Sequence, residues 1–576
     1  MRKNVHGFHG MAVTALTTLL IAGCGGGDGG GGAGFVNLGG AGSAGSGGGA
    51  GNPPPTTVAT APFPAAVDCS SMKTLSIPNT TISSAELIPA GSYKPPASSA
   101  TFDGLPEFCR VVAKVAPLAG SSIGIEVWLP SKTWNGRYQQ VGTHGTGGNI
   151  YWSEMAPQLR RGFATGATDT GHEVPLTLEN RGSIWAIGYP ERINDYGYRA
   201  VHELVDKAKA TIKAYYGRQQ DYAYFNGCSK GGQDGLKSAQ VYPSDFNGII
   251  AGGVAGAATQ AATAQLVQDI NLRAAGIQGA EGTRILRLAQ KSAIEACDEI
   301  DGVKDGFLSN PTRCHWNPAK LVCTAGQDPA TCITQPQADA LSRQYEPIVN
   351  PVTQEKIFFG LTRGSEHDWI RFGHQNALSS YALSLYQIAM GDPSWNGSTF
   401  DLHRDFPLLQ SKLAVAVDAV DPNLGPFMKA GGKLIQWHTW DDSAFMPQWA
   451  TDYYDQVSAR MGGTEATSDF YRLFMMPAQG HCAGDGVGPS NFGQENALAV
   501  SDDADHDAVT ALQAWVEKGT APKKFIVSRL KNNDVKQGIE MQRPICAYPL
   551  EAVYKGSGDT NAAENFTCST PLLSGL

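Results

Sequence analysis

One stretch constrains this chain more than any other: Tyr222-Ala-Tyr-Phe-Asn-Gly-Cys-Ser-Lys-Gly-Gly232. A β-rich run from Tyr222 to Phe225 leads into Gly227-Cys228-Ser229-Lys230-Gly231. That is the G-x-S-x-G pattern, in which a sharp turn throws one serine out at a strand-to-helix corner. Glycines two before and two after the serine let the backbone bend that tightly. Gln233 to Val241 reads as the helix leaving the turn, and Phe246-Asn-Gly-Ile-Ile-Ala251 as the next buried strand. Strand, turn, helix and strand in that order make Ser229 a candidate nucleophile. The competing reading is an ordinary glycine-rich βα turn.

The same rhythm extends on both sides. Gly124 to Pro130, Gly136 to Val141 and Phe163 to Ala167 read as strands. Tyr198 to Tyr216 is the clearest helix, with Val201, Leu204, Val205, Ala208, Ile212 and Tyr215 on one stripe and Gly217 as its stop. Strand and helix alternating in this way imply an α/β fold with a mostly parallel sheet covered on both faces. Residues 256–429 break the rhythm with an Ala/Gln-rich helical start, four cysteines and many aromatics, and are expected to form an inserted lid. The rhythm returns with strands Lys433 to Trp437 and Tyr471 to Met476 and an amphipathic helix from His506 to Lys518. The catalytic domain is therefore expected from residues 63–255 and 430–576.

Residues 1–24 read as an export signal: Arg2 and Lys3 precede a short apolar run, Met11 to Ala22, which ends in Leu20-Ile-Ala-Gly-Cys24. This resembles a lipobox, with Cys24 as the lipidated residue; a plain signal peptide cleaved nearby is the alternative. Gly25 follows, with no aspartate of the kind that suggests inner-membrane retention, so an outer-membrane lipoprotein or a secreted or periplasmic protein is expected. Residues 25–62 are rich in Gly, Ser and Pro and are expected to be a disordered linker. A net charge of -9 and a pI near 5.8 argue against a nucleic-acid surface, and the membrane is reached only through the N-terminal anchor. Setting Cys24 aside, ten cysteines remain, an even number that reads as five disulfides in an exported chain. Spacing alone leaves their connectivity open, with Cys323 and Cys332, or Cys546 and Cys568, as near neighbours.

A serine hydroxyl needs a base within hydrogen-bond reach and an acid to orient that base. In α/β hydrolases these follow in the order Ser, Asp/Glu, His. After the strand Lys433 to Trp437 comes His438-Thr-Trp-Asp-Asp442-Ser-Ala-Phe445, and after Tyr471 to Met476 comes Pro477-Ala-Gln-Gly-His481-Cys482. Both loops stand at carboxyl ends of strands, on the edge where the serine turn emerges. Asp442 is the candidate orienter, with Asp441 as rival, and His481 the candidate base. Cys228 and Cys482 adjoin Ser229 and His481, so a bridge between them would staple the two loops. For an oxyanion hole, the N–H of Lys230 is one candidate donor, and Thr143 or Gly142 in Gly142-Thr-His-Gly-Thr-Gly-Gly148 the other.

Together these residues resemble the tannase and feruloyl esterase family, which also contains the enzyme hydrolysing mono(2-hydroxyethyl) terephthalate. Further matching segments are Trp134-Asn-Gly-Arg137, Ala167-Thr-Asp-Thr-Gly-His172, Cys297-Asp-Glu-Ile-Asp-Gly-Val-Lys-Asp-Gly306 and Tyr554-Lys-Gly-Ser-Gly-Asp559. The resemblance implies an α/β-hydrolase fold with a large lid, a Ser229, Asp442, His481 triad and a Cys228–Cys482 bridge. It further implies the pairs Cys69–Cys109, Cys297–Cys314, Cys323–Cys332 and Cys546–Cys568. It also suggests a structural lid calcium at Asp298, Asp301 and Asp305 with the carbonyls of Val303 and Phe307, an all-oxygen set suited to a hard cation. Without the resemblance that loop reads as a solvated acidic turn, and no organic cofactor is implied.

Two departures bear on substrate. Lys230 stands where relatives often carry threonine, or glutamate in the terephthalate enzyme. The segment aligned with that enzyme's carboxylate-binding arginine, Asn376 to Ser384, has none, and Arg371 nearby has no assigned place. Phe445 matches an aromatic beside the substrate ring, and Trp369 and Tyr381, with Phe372 and Trp395, are candidate lid contacts. The expected function is a serine carboxylesterase acting on a small aromatic ester of feruloyl or galloyl type. A terephthalate monoester is the alternative, and a non-catalytic binder of phenolics the reading from another class.

Overall fold

The computed structural model describes residues 62–96, 98–173, 183–482, 486–495 and 497–570. The expected signal with Cys24, and the linker up to residue 61, lie outside them.

Nine strands make the central sheet: β1 (Thr80–Ile88), β2 (Phe108–Val115), β3 (Ile123–Pro130), β4 (Arg137–Val141), β5 (Ala164–Thr168), β6 (Tyr222–Cys228), β7 (Gly248–Gly252), β8 (Lys433–Thr439) and β9 (Tyr471–Met476). Their spatial order is β1-β2-β3-β5-β4-β6-β7-β8-β9. From β5 to β9 every pairing is parallel, whereas β1, β2 and β3 form an antiparallel meander that joins the rest through β3 against β5. β5 and β7 are buried at every position, as strands covered on both faces must be.

The longer helices are α1 (Trp152–Arg160), α2 (Ala200–Tyr216), α3 (Lys230–Val241), α4 (Ala258–Ala274), α5 (Gly279–Cys297), α6 (Gln335–Tyr345), α7 (Glu366–Phe372), α8 (Ser380–Met390), α9 (Leu402–Val417), α10 (Gln448–Met461) and α11 (Ala508–Lys518). On α2 the predicted stripe from Val201 to Tyr215 is buried, and Gly217 ends the helix at φ 68°. Six of these helices, α4 to α9, lie in the long connection from β7 to β8. That connection does not keep a separate core. Leu272, Ile285, Trp369 and Phe427 share one apolar cluster with Val127 of β3 and Leu473 of β9.

The α/β reading, the mostly parallel sheet and the α/β-hydrolase expectation hold, with additions. The antiparallel meander at one edge was not expected, and its outer strand β1 buries only Ile82. Beyond β9 two antiparallel pairs follow that periodicity did not reveal, Lys524–Leu530 against Ile539–Cys546 and Glu551–Tyr554 against Phe566–Ser569. All five disulfides pair as the resemblance implied. Among the described residues no helix is long and apolar enough to cross a membrane.

Candidate active site

Ser229 stands between β6 and α3 at φ 63° and ψ -121°. A non-glycine residue in that region is strained, and the surroundings must hold it there. Three glycines do so. A Cβ on Gly142 would sit 2.5 Å from Gly231 Cα and 3.0 Å from Gly227 Cα, so the loop after β4 and both sides of the elbow touch backbone to backbone. Ser229 N–H donates to Gly252 O at 3.0 Å, which fastens the corner to the end of β7.

The loops after β8 and β9 meet at the same edge. His481 Nδ1 donates to Asp442 Oδ2 at 2.8 Å, while Asp442 Oδ1 accepts the N–H groups of Ala444 and Phe445. Burial would raise this carboxyl, but the nearby His481 and hydrogen bonds from His438 and His481 hold it well below the usual carboxylate range. Asp442 is therefore an anion aimed at His481. Its rival Asp441 is pushed far up by burial, with Glu366 and Asp368 adding to the shift, and it lies 3.8 Å from a different imidazole, His367. The Cys228–Cys482 bridge joins the residues beside Ser229 and His481, with Cα atoms 5.9 Å apart.

Two supports of these loops escaped the sequence reading. His438 Nε2 lies 2.7 Å from Phe445 O and 3.2 Å from Asp442 Oδ2, so Asp442 faces two imidazoles. Asp368, on α7, accepts from Ser443 N and Oγ and from His481 N, binding the acid loop to the base loop. A Cβ on Gly480 would stand 2.1 Å from Asp368 Oδ1, which explains the glycine before His481.

The oxyanion candidates separate. Lys230 heads α3, where first-turn N–H groups have no intrahelical acceptor. Gly142 does not qualify, because its N–H is spent on Asn226 O at 2.9 Å. Thr143 turns its hydroxyl to Asp234 Oδ2 at 2.9 Å, and its backbone also steadies that carboxylate. The Lys230 side chain folds back into the protein, bonds Asp234 and lies over the Tyr196 ring. Burial pulls the Lys230 ammonium down and the Asp234 carboxyl up, and their mutual attraction opposes both shifts.

A cavity of about 390 Å³ opens over these groups. Ser229, Lys230, His481, Phe445 and Tyr381 line it, as do Arg371, Phe372, Gln265 and His144. Tyr381 and Phe445 meet edge to face at 5.7 Å. Trp369 does not reach the cavity: it is fully buried, its indole N–H bonded to Ser365 Oγ at 2.9 Å, and it packs in the core. Trp395 likewise stacks on Tyr386 instead. Arg371 donates to His481 O at 2.9 Å and to Asp368 Oδ1 at 3.3 Å. Burial opposes charge on His144, yet Glu154, bonded to its Nε2 at 2.6 Å, lifts it to about 9. Burial and the charge of Glu154 raise Glu495 to about 8.

The acidic loop after α5 fits a hard cation. Asp305 Oδ1 is buried without a hydrogen-bond partner, although Oδ2 pairs with Arg543. Burial raises Asp301, and raises Asp305 to about 6, with the neighbouring acids adding to both, so negative charge accumulates there without full compensation. Asp298 accepts from Asp305 N and Gly306 N, which curls the loop around it.

Comparison with known proteins gives the family of the chain. The profile of the family described as tannase and feruloyl esterase matches residues 109–380 and 386–569. An uncharacterized esterase of Xanthomonas campestris pv. campestris is 35% identical over 539 residues, covering 88% of this chain and 91% of that protein. A protein described as probable feruloyl esterase B-2 from Aspergillus terreus is 30% identical over 507 residues, covering 85% and 93%. The crystal structure of feruloyl esterase B from Aspergillus oryzae superposes with a TM-score of 0.80 at 26% identity, covering 87% of this chain and 99% of that one. The chain belongs to the tannase and feruloyl esterase family and is a carboxylic ester hydrolase.

Proposed function

We propose that the protein hydrolyses esters of aromatic acids through Ser229, His481 and Asp442. Its strongest support is one juxtaposition. His481 is held at Nδ1 by a buried anionic Asp442, and it lines the same cavity as a serine on a strained corner. With Nδ1 donating to Asp442, Nε2 carries the lone pair that accepts the Ser229 proton as Oγ attacks the ester carbonyl. Lys230 N–H, with a second donor from the loop at residues 144–145, since the Thr143 backbone is engaged with Asp234, meets the developing oxyanion. The tetrahedral intermediate collapses, the C–O bond breaks, and His481 passes its proton to the leaving alcohol. Water then attacks the acyl-enzyme, giving its proton to His481, and the aromatic acid leaves as Ser229 regains its hydrogen.

The aromatic acyl group fits between Phe445, Tyr381 and Phe372 over Ser229. Feruloyl and galloyl esters are the leading substrates. Arg371 favours a second reading: a guanidinium among the lining residues suits an acyl ring bearing its own carboxylate, as in terephthalate monoesters. Steady-state rates on methyl ferulate, methyl gallate and mono(2-hydroxyethyl) terephthalate separate the two. Ser229→Ala retaining wild-type rates on all three would overturn the mechanism.

The described segment 256–429 acts as the lid that shapes this cavity. Calcium held by Asp298, Asp301 and Asp305, with the Val303 and Phe307 carbonyls, would neutralise their charge and set the loop's shape, with no part in the reaction. Five disulfides fit an exported protein, and Cys24 is the residue that would carry a lipid anchor. Retention of a lipid-modified Cys24 on an intact-mass spectrum tests that anchor.

A further inference from the structure

Behind the catalytic edge, three segments far apart in sequence bring one imidazole and two carboxyls together. His144 follows β4, Glu154 lies on α1, and Glu495 comes from the chain after His481. His144 Nε2 stands 2.6 Å from Glu154 Oε1 and 4.0 Å from Glu495 Oε1, and one ligand atom from each residue falls within 4.8 Å of the others. Glu154 is 4% exposed, and its Oε2 is buried with no hydrogen-bond partner. Glu495 Oε1 is buried and unpartnered as well. Glu495 takes positive φ, 49°, to present its carboxyl here, where it also meets the Cys228 backbone.

An unpaired buried carboxylate oxygen is costly, and two of them facing one imidazole leave the cluster short of positive charge. A single proton between His144 and Glu154 satisfies one contact and leaves Glu154 Oε2 and Glu495 Oε1 without a donor. A divalent ion satisfies all three residues at once. With metal–ligand bonds of about 2.0–2.2 Å, neighbouring ligand atoms of a tetrahedral ion lie roughly 3.3–3.5 Å apart. The observed 2.6 and 4.0 Å bracket that spacing, so small side-chain rotations complete the set.

We propose that His144, Glu154 and Glu495 form a binding site for a divalent transition-metal ion such as zinc, tying the oxyanion loop to α1 and to the chain beyond His481. One imidazole and two carboxylates suit such an ion better than calcium, which takes oxygen ligands. His144 also lines the substrate cavity, so a fourth position would open towards water on that side. At neutral pH the ion replaces the proton shared by His144 Nε2 and Glu154 Oε1 and the proton that burial keeps on Glu495, and both go to solvent. Its role is positional: it fixes His144 beside Thr143 at the mouth of the site.

The test uses the mature protein saturated with calcium, then titrated with zinc against a chromogenic chelator and passed through gel filtration for metal analysis. Wild type is expected to retain one further zinc ion per chain, and Glu154→Gln with Glu495→Gln to weaken it at least tenfold. Calorimetry at pH 7 in buffers of different ionisation enthalpy is expected to show about two protons released per ion bound, from His144 and Glu495. That measurement on wild type keeps the test decisive even where a variant folds poorly. No retained zinc, equal retention by the variants, or zinc bound without proton release would overturn the site. None of these readouts needs turnover, so failure here is separate from failure of the esterase reading.

Discussion

At residue 229 the backbone occupies a conformation that few side chains tolerate, and everything around it is shaped to hold it. Removing only the hydroxyl leaves that frame intact. Ser229→Ala should lower kcat/KM by about 10⁴–10⁶ with the thermal midpoint unchanged or raised, measured on an aryl ester and by calorimetry. Asp442→Asn keeps the shape but lets His481 take the wrong tautomer, so kcat should fall by about 10⁴ with KM little changed. Gly142→Ala tests the frame itself. Its Cβ would press within 2.5 Å of Gly231 Cα, and unfolding in urea should show a loss of about 1–3 kcal/mol together with slower turnover. Ser229, Asp442 and His481 were legible because each follows a strand end in a fixed chain order. Arg371, His144 and Gln265 were not, because nothing in their local pattern says which cavity a side chain faces. Trp369 shows the same gap from the other side: an aromatic in the expected lid is equally ready to pack in a core.

At the scale of elements, the Cys228–Cys482 bridge joins segments 254 residues apart. Closing so long a loop restricts the unfolded chain strongly, which is worth about 2–5 kcal/mol. A Cys228→Ser, Cys482→Ser double variant should lose stability of that order in urea. It should also lose kcat more than KM, since the loops carrying Ser229 and His481 are then joined only by weaker contacts. The acidic loop after α5 makes a separate prediction. Chelation with EGTA should lower the thermal midpoint, and added calcium should restore it, while residual activity stays with the folded fraction. The parallel strands were readable from short β-rich runs set between turn signals and helices. Of the meander, β3 was readable from its alternation, whereas β1, β2 and the C-terminal hairpins were not; the largely exposed β1 in particular has little apolar pattern of its own and is specified by its neighbours.

Across the whole molecule, buried acids set the response to pH. Burial raises Asp169 and Glu366 to about 7, and Asp195 and Asp418 to about 6. An acid whose folded value lies above its unfolded one favours the folded state while protonated, and that advantage disappears as pH rises between the two. Asp442 runs the other way: its folded value is depressed, so its contribution is present above about pH 4 and lost as pH falls below it. The thermal midpoint should therefore peak at about pH 4–5 and decline to about pH 7. A scan by calorimetry with calcium held constant checks this, and a midpoint rising steadily to pH 8 would contradict it.

The amino-acid sequence alone determined the α/β rhythm, the strained serine corner, the order of acid and base after it, and an even set of cysteines. Those are properties of spacing, carried by side-chain period and by residues that only certain turns accept. Tertiary structure decided what spacing cannot express. It set Asp442 rather than Asp441 against His481, turned Gly142 N–H into the sheet, buried Trp369 and brought Arg371 to the cavity. It also drew His144, Glu154 and Glu495 together from three separate segments. Each of these depends on where distant parts of the chain come to rest, and burial and hydrogen bonding there reward only one of several arrangements that local sequence permits.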